Sequence, residues 1–561
     1  MIRLVLSRIP NITLVALLLA ACVTPCVALA DSTVVVYPKP SVRSTSTDFT
    51  VTAVPVTGGT LGTASSVPTF QFKPNGVVEY SFAQFSFGGT VQVTVTDIAE
   101  SSINSFSISP VAFAIQGTVN GNTLTFTLPA SRYLIVKINS RPELVVAADP
   151  LESSQAASGT GIENITMSPY DVSPTSTADS TTQIQNAINA AKAEKGTVYV
   201  PAGVYYITRL TLPSNVTLYL AGGSVLRDSG GIPANPDFWK SSLGEWGKWL
   251  ISTVPGSSNI TIRGRGMIDG NGFAMRTQNK YLNTLIMPIS TTNFTVDGIV
   301  GWNSAFWALT PALSTGVNIL NYKGLDDLGT PGCSGSFACM EEDDGIDINE
   351  SVNVLVKHAF AISRDDNYST KTWCKASTYS ANASGNPNGT IVNNWGSVSM
   401  ALSNVEFTDV TAWSKDDAFK VGFGICKNQS GVTYDHGYVY SAGHAVDVAG
   451  TDYDGWTDPI GVGTIDGITF QNIDIENNTL AWANIDAAPA SIAPITNLTY
   501  SNINVRTTSK SPYIDAPAQS PAPVDTITFS DIVYDGTIVN DQTGLSFNPA
   551  SNALTNVVVN P

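Results

Sequence analysis

Aspartate doublets recur through the middle of this chain. Glu341-Glu342-Asp343-Asp344-Gly345-Ile346-Asp347 is followed about 21 residues later by Ser363-Arg364-Asp365-Asp366. Further on come Lys415-Asp416-Asp417 and Gly443-His444-Ala445-Val446-Asp447. A single Asp-Asp reads as a turn whose side chains bond nearby backbone. Doublets recurring at coil-sized intervals read as chemistry. Carboxyls brought together repel, so one keeps its proton while another stays ionised. A general acid beside a carboxylate that activates water is what cleavage of a glycosidic bond requires. Calcium binding by the same acids is the competing reading.

Asp344, Asp365 and Asp366 are therefore the candidate catalytic residues. Around them Asp347, Arg364, Lys371, Asp416, Asp417, Lys420 and His444 are candidates for substrate binding. The cations either grip a substrate or only balance the acids. Trp307 and Trp373 are candidate platforms for sugar faces, with Trp302, Trp413 and Trp456 nearby; each reads equally well as filling for the core. Asp435-His436-Gly437 reads as part of a strand, away from the acids. No metal ligand set is expected.

Such an arrangement needs a scaffold that stacks equivalent positions. A unit of the form N-[IV]-T-[ILFY] recurs from residue 215 to residue 529, as in Asn215-Val216-Thr217-Leu218, Asn259-Ile260-Thr261-Ile262, Asn293-Phe294-Thr295-Val296 and Asn497-Leu498-Thr499-Tyr500. Variants include Val352-Asn353-Val354 and Asn404-Val405-Glu406-Phe407. A roughly fixed period with short β-rich runs predicts a solenoid, in which each coil buries its apolar face against the next. One amphipathic helix precedes it. Ile184, Ala187, Ile188 and Ala191 share a face, Asp179 or Ser180 can start it and Gly196 can end it. Its expected task is to cover the open first coil.

Residues 31–160 have a different grammar. Short runs at 33–37, 78–82, 90–96, 106–108, 124–128 and 133–138 are separated by turn residues, which predicts an accessory β-sandwich. Ser153–Gly161 reads as a linker, and residues 161–561 as the solenoid domain. Residues 1–30 carry Arg3 and Arg8, a short apolar run and Ala28-Leu29-Ala30, the pattern of a secretory signal peptide. Leu19-Ala20-Ala21-Cys22 also resembles a lipoprotein box. No later run is long enough for a membrane helix. Outside the cell, Cys333, Cys339, Cys374 and Cys426 favour disulfides, with three connectivities open and Cys333–Cys339 with Cys374–Cys426 favoured. Sequons at Asn164, Asn215, Asn382 and Asn388 permit glycosylation.

Composition narrows the field. Hydrophobic residues make up 43% of 561, enough for a large core, and charged residues only 13%, which excludes a disordered chain. The net charge of −17 argues against nucleic-acid and anionic-membrane binding, and three histidines argue against a histidine-rich metal enzyme.

From about Ser176 onward the chain resembles the right-handed parallel β-helix of glycoside hydrolase family 28, the polygalacturonase-like enzymes. That family's Asn-Thr-Asp-Gly-[Phe/Ile]-Asp motif is matched in part by Glu342–Asp347, its Asp-Asp motif by Asp365-Asp366, and its preceding Asn-Ser-x-x-Trp coil by Trp302–Trp307. The resemblance implies Asp365 as general acid, Asp344 and Asp366 as holders of the attacking water, and inversion. The family's Gly-His-Gly is replaced by Lys415-Asp416-Asp417, and its Arg-x-Lys clamp on anionic sugars has no counterpart. In architecture the chain also resembles glycoside hydrolase family 49, the dextranases and isopullulanase, which pair a β-sandwich with the same helix type.

The expectation is an all-β, two-domain protein: a secreted monomeric hydrolase of a polysaccharide, without a cofactor. The first alternative is a hydrolase of a neutral α-glucan. A calcium-dependent lyase and a non-catalytic carbohydrate-binding solenoid are the others.

Overall fold

The computed structural model describes residues 32–234, 236–240, 245–329, 342–372, 400–425, 427–450, 463–486, 494–506, 513–515, 524–548 and 554–561. The signal-like segment, the four later cysteines, Glu341, Trp373, Trp456, Asn382 and Asn388 lie outside these residues.

Strands between Thr33 and Pro150 form two six-stranded sheets. Their facing sides close over a core that includes Phe49, Val51, Phe85, Val93, Phe126, Leu134 and Val146. In Thr90–Asp97 buried and half-buried residues alternate, as period-two patterning requires. Several strands absent from the sequence reading complete the sheets, two of them long. Phe49–Thr57 pairs with Thr90–Asp97, and Glu143–Pro150 pairs in parallel with Tyr80–Gly88.

From Ile162 the chain winds as a right-handed parallel β-helix. A nineteen-stranded sheet runs from Ile162–Asn164 to Leu554–Asn560, and a parallel seven-stranded sheet from Ile346–Asn349 to Phe547–Asn548. The sequence repeats fall into register. Ile260, Phe294, Val317, Val354, Val405, Val432, Ile468, Leu498 and Ile527 stack as direct partners in successive coils. Inside the stack Phe407, Tyr434, Phe470, Tyr500 and Phe529 form a column of near-parallel rings.

The repeated asparagine has a backbone task. Asn259, Asn293, Asn353 and Asn404 have φ of 57°, 57°, 58° and 54°. Each turns the chain in the left-handed region, which asparagine tolerates better than most residues. Their amides also form a ladder. Asn259 Nδ2 donates to Asn215 Oδ1 at 3.1 Å and Asn293 Nδ2 to Asn259 Oδ1 at 3.2 Å.

The capping helix is Thr181–Glu194, with Ile184, Ala187, Ile188 and Ala191 buried over the first coil. Ser180, one of the two expected starts, is the N-cap, and the Oδ1 of Asp179 takes the Thr181 N–H at 2.9 Å. The left-handed C-cap is Lys195, at φ 53°, and not Gly196. Gly196 is glycine for lack of room: a Cβ there would lie 2.4 Å from the Gly161 carbonyl oxygen.

The sandwich packs against one face of the helix. Phe72, Phe82, Tyr133 and Val145 meet Trp302, Leu325, Phe360, Ile362 and Trp413 in one buried cluster. Lys323 of the helix, fully buried, donates to Asp149 Oδ1 of the sandwich at 2.8 Å.

Candidate active site

The doublets lie where the chain passes from the nineteen-stranded to the seven-stranded sheet. Asp344 precedes Ile346–Asn349, Asp365-Asp366 lie between Val352–Ser363 and Tyr368–Thr372, and Asp416 lies between Leu402–Ser414 and Asp417–Ile425. The backbone locks the turns together: Gly345 N donates to the Asp366 carbonyl and Asn367 N to the Asp417 carbonyl. The Asp365 carbonyl accepts from both Ser363 Oγ and Ser414 Oγ, each at 2.6 Å.

The three predicted catalytic carboxyls converge. One oxygen of each of Asp344, Asp365 and Asp366 lies within 4.8 Å of the other two. Asp344 and Asp366 are buried, and Asp365 is the member that reaches partial exposure. Lys371 enters beneath them. Its Nζ is 2.6 Å from Asp344 Oδ2, 3.3 Å from Asp347 Oδ1 and 3.4 Å from Asp366 Oδ2.

The acids diverge in their surroundings. Burial, then the charges of Asp344, Asp366 and Asp416, push Asp365 well above the usual carboxylate range, and no ammonium contacts it among the described residues. Burial and Asp347 push Asp344 up as well, but Lys371 opposes the rise. Lys420 opposes the rise of Asp365 as Lys371 opposes that of Asp344, so the cluster shares protons among raised acids. Burial lowers Lys371, but the surrounding carboxylates outweigh it and hold the ammonium charged.

One coil further the pattern repeats. Lys420 Nζ lies 2.7 Å from Asp417 Oδ2, 3.1 Å from Asp366 Oδ1 and 3.5 Å from Asp447 Oδ2. Register explains this: Asp347, Ser369, Lys420 and Asp447 are partners in one row of the seven-stranded sheet. His444 pairs with Asp417 across the sheet, its Nδ1 2.9 Å from Asp417 Oδ1. Despite burial, Lys420 and His444 hold Asp417 well below the usual range. Burial and the neighbouring Asp417 carboxylate push Asp416 up to about 7.

The remaining candidates separate. Arg364 is buried and its guanidinium binds Asp327, which also holds Arg276 at 2.6 Å. Trp307 is buried against Phe306, with Lys371 Nζ 4.5 Å from the ring centre. Trp302 and Trp413 pack against the sandwich. His436 lies in Gln429–Ser441, exposed and away from this edge. Asn164, one of the sequon residues, is buried and donates through Nδ2 to the Ala157 carbonyl.

Asp327 escaped the sequence reading. Asp326-Asp327 is a further doublet, one coil upstream of Asp365-Asp366, so the same spacing argument reaches it. Sequence could not reveal that both guanidiniums end on it.

Three comparisons bear on this arrangement. Residues 111–238 match the family model described as rhamnogalacturonase A/epimerase, pectate lyase-like. An exo-poly-alpha-D-galacturonosidase of Dickeya chrysanthemi is 31% identical over 165 residues, covering 27% of this chain and 27% of that protein. The chain thus spans about a quarter of the length of that curated relative. Dex49A from Penicillium minioluteum superposes with a TM-score of 0.61 at 14% identity, over 94% of this chain and 98% of that one. The two chains share their fold. The likeness runs through sandwich and helix alike. The family-model match ends before Asp344, so the reading of the carboxyl cluster rests on its own geometry.

Proposed function

We propose that this protein is a secreted glycoside hydrolase that cleaves a polysaccharide. The observation that carries the reading is the Asp344–Asp365–Asp366 cluster, with Lys371 on two of its members and none on the third. Asp365 delivers its proton to the glycosidic oxygen as the C–O bond breaks. Asp344 and Asp366 hold a water, which adds to the anomeric carbon and gives up its proton to one of them. One bond is hydrolysed and each product carries a hydroxyl. Similarity to an exo-poly-alpha-D-galacturonosidase and to Dex49A supports the class of reaction. The pattern of residues 1–30 supports secretion.

Inversion is the finer part of the proposal. One oxygen of each carboxyl lies within 4.8 Å of the other two, and inversion needs room for a water between acid and base. The anomer first formed, read by proton NMR, decides. A retained configuration would assign one aspartate as nucleophile.

A neutral α-glucan is the second reading, and one observation favours it. Lys371, Lys420 and Arg364 all bind aspartates, which leaves an anionic sugar at the cleavage point without a dedicated partner among the described residues. A calcium-dependent lyase is disfavoured by chemistry: the carboxylates that would hold the ion already surround two ammonium groups.

The test is a panel of dextran, pullulan, polygalacturonate and rhamnogalacturonan, with and without chelator. Reducing ends without ultraviolet-absorbing products, abolished by Asp365→Asn, are expected. Chelator-sensitive absorbance would establish a lyase. No product from any of them would return the chain to the binding-solenoid reading.

A further inference from the structure

Two consecutive sandwich residues reach the helix one rung upstream of the Asp365 segment. Tyr80 OH donates to the Asp326 carbonyl at 2.8 Å, and Glu79 Oε2 accepts the Leu328 N–H at 2.7 Å. Together they hold the backbone on both sides of Asp327. Register links this hold to the candidate acids. Leu325 pairs with Ile362, and the ladder continues as Asp326 N donates to the Ile362 carbonyl at 3.0 Å. Counting on, Asp327 falls beside Arg364, and their side chains do meet. By the same count Leu328 corresponds to Asp365.

The network around Asp327 is buried. Arg276 Nη2 donates to Asp327 Oδ2 at 2.6 Å, and Asp327 Oδ1 accepts from Arg364 and, at 3.1 Å, from the Gly329 N–H. Arg276 also donates to the Ser304 carbonyl at 3.0 Å, and Ser304 Oγ to Asp326 Oδ2 at 2.7 Å. The residues that precede two of the candidate catalytic acids both face this network: Arg364 before Asp365, and the buried Asp343 before Asp344. Burial and the Asp327 carboxylate push Glu79 up to about 8, so at neutral pH it holds Leu328 as an uncharged acceptor. Docking of the sandwich is already served by the apolar cluster and the Lys323–Asp149 pair. The polar hold at Asp327 acts on the one segment next to the acid.

We propose that Glu79 of the sandwich is a positioning residue for Asp365, fixing the acid's segment through Leu328 and the Asp327–Arg364 contact. The inference rests on the hydrolase reading and adds a second domain to its machinery. It gives the sandwich a task in the reaction besides covering one face of the helix. An aligned proton donor is sensitive to small displacements, since a shift of about 1 Å can cost roughly 10²-fold. Glutamine reproduces an uncharged oxygen acceptor for the Leu328 N–H; alanine does not.

The experiment uses the full chain with Glu79→Ala, Glu79→Gln and Tyr80→Phe, the last keeping its ring stacked on Phe72. Ser109→Ala is the control; it loses a 2.6 Å contact to Glu476 elsewhere on the domain junction. Both kcat and KM are measured on the polysaccharide that the unsubstituted chain cleaves and on a nitrophenyl glycoside of its sugar. Glu79→Ala is expected to lose about ten-fold in kcat on polysaccharide, with KM little changed, and much less on the nitrophenyl glycoside, whose departure needs no proton. Glu79→Gln should restore most of the rate, Tyr80→Phe should show a smaller loss of the same kind, and Ser109→Ala none. Amide hydrogen exchange of a peptide spanning residues 360–367 is followed in parallel. It is expected to quicken in Glu79→Ala and not in Glu79→Gln. If Glu79→Ala does not fold, Tyr80→Phe carries the same comparison. Unchanged exchange and kcat, equal loss on both substrates, or no rescue by glutamine overturns the proposal. Quickened exchange in a chain that hydrolyses none of the polysaccharides would sink the hydrolase reading and leave the coupling of Glu79 to the Asp365 segment standing. Hydrolysis indifferent to Glu79 would do the reverse.

Discussion

Lys371 Nζ lies 2.6 Å from Asp344 Oδ2, with 3% and 2% of the two side chains exposed. A contact this buried opposes the rise that burial and Asp347 impose on Asp344. In the proposed mechanism Lys371 is therefore a positioning residue for the water-activating pair.

Its replacement makes a signed prediction. In Lys371→Met the opposing charge is gone, and the already raised Asp344 rises further. The base is then lost earlier as pH falls, so the acidic limb of kcat/KM moves to higher pH. A loss of roughly 10²–10⁴-fold in kcat is expected, the range for removing a positioned proton acceptor. Lys371→Arg should restore part of the rate and most of the limb. An unshifted limb in a folded Lys371→Met protein would contradict the assignment.

Asp365→Asn separates acid from base. Proton delivery matters for a poor leaving group and little for a good one. The variant should lose roughly 10²–10⁴-fold on polysaccharide. On a nitrophenyl or fluoride glycoside it should recover most of its rate. Asp344→Asn and Asp366→Asn should stay impaired on both. Equal loss on both substrates in Asp365→Asn would remove it from the acid role.

Buried acids also set the pH dependence of stability. Burial pushes Glu79 and Glu350 up to about 8, and Asp343 and Asp416 up to about 7. Folded pKa values lie above the unfolded ones near 4, so the native state binds more protons than the unfolded state. Their contribution is complete below pH ~4 and is lost as pH rises through about 7–8. Asp417 and Asp269 have the opposite sign; ion pairs hold them low, so their contribution is lost only as pH falls below ~4. The Tm should peak in mild acid and fall toward pH 8. Glu79→Gln should lessen that fall. A Tm that is flat or rises between pH 5 and pH 8 would refute it.

The architecture was legible because its signals are periodic. The asparagine repeat is a backbone requirement repeated once per coil, and the aspartate doublets stack for the same reason. What depends on non-local faces was not legible. Phe49–Thr57 carries Pro55 and reads poorly as a strand, yet pairing on both sides overrides that. Trp302 and Trp413 look like sugar platforms until the sandwich covers them. Lys371 and Lys420 stood out as cations near acids, but only the folded geometry shows that they point at aspartates, Lys420 through the register row it shares with Asp347 and Asp447 and Lys371 from the neighbouring strand. The Glu79–Leu328 contact spans two domains and no local pattern announces it.

The domain junction offers the last test. Lys323 and Asp149 are both fully buried, 2.8 Å apart, with Tyr133 OH donating to the same carboxylate at 2.6 Å. Burial outweighs the Asp149 carboxylate and pulls Lys323 down to about 8, so the pair holds its charges against a cost. Removing Lys323 leaves the buried Asp149 with only the more distant Arg265, whose Nε lies 3.7 Å away, a loss of up to roughly 3–5 kcal/mol. Lys323→Met should therefore lower the urea midpoint sharply. Adding Asp149→Asn should recover part of the loss, since the closest buried charge left by Lys323→Met is then removed and only the more distant Arg265 loses a partner. If the double variant is no more stable than the single one, the junction is held by the Trp302 and Tyr133 packing and not by this ion pair.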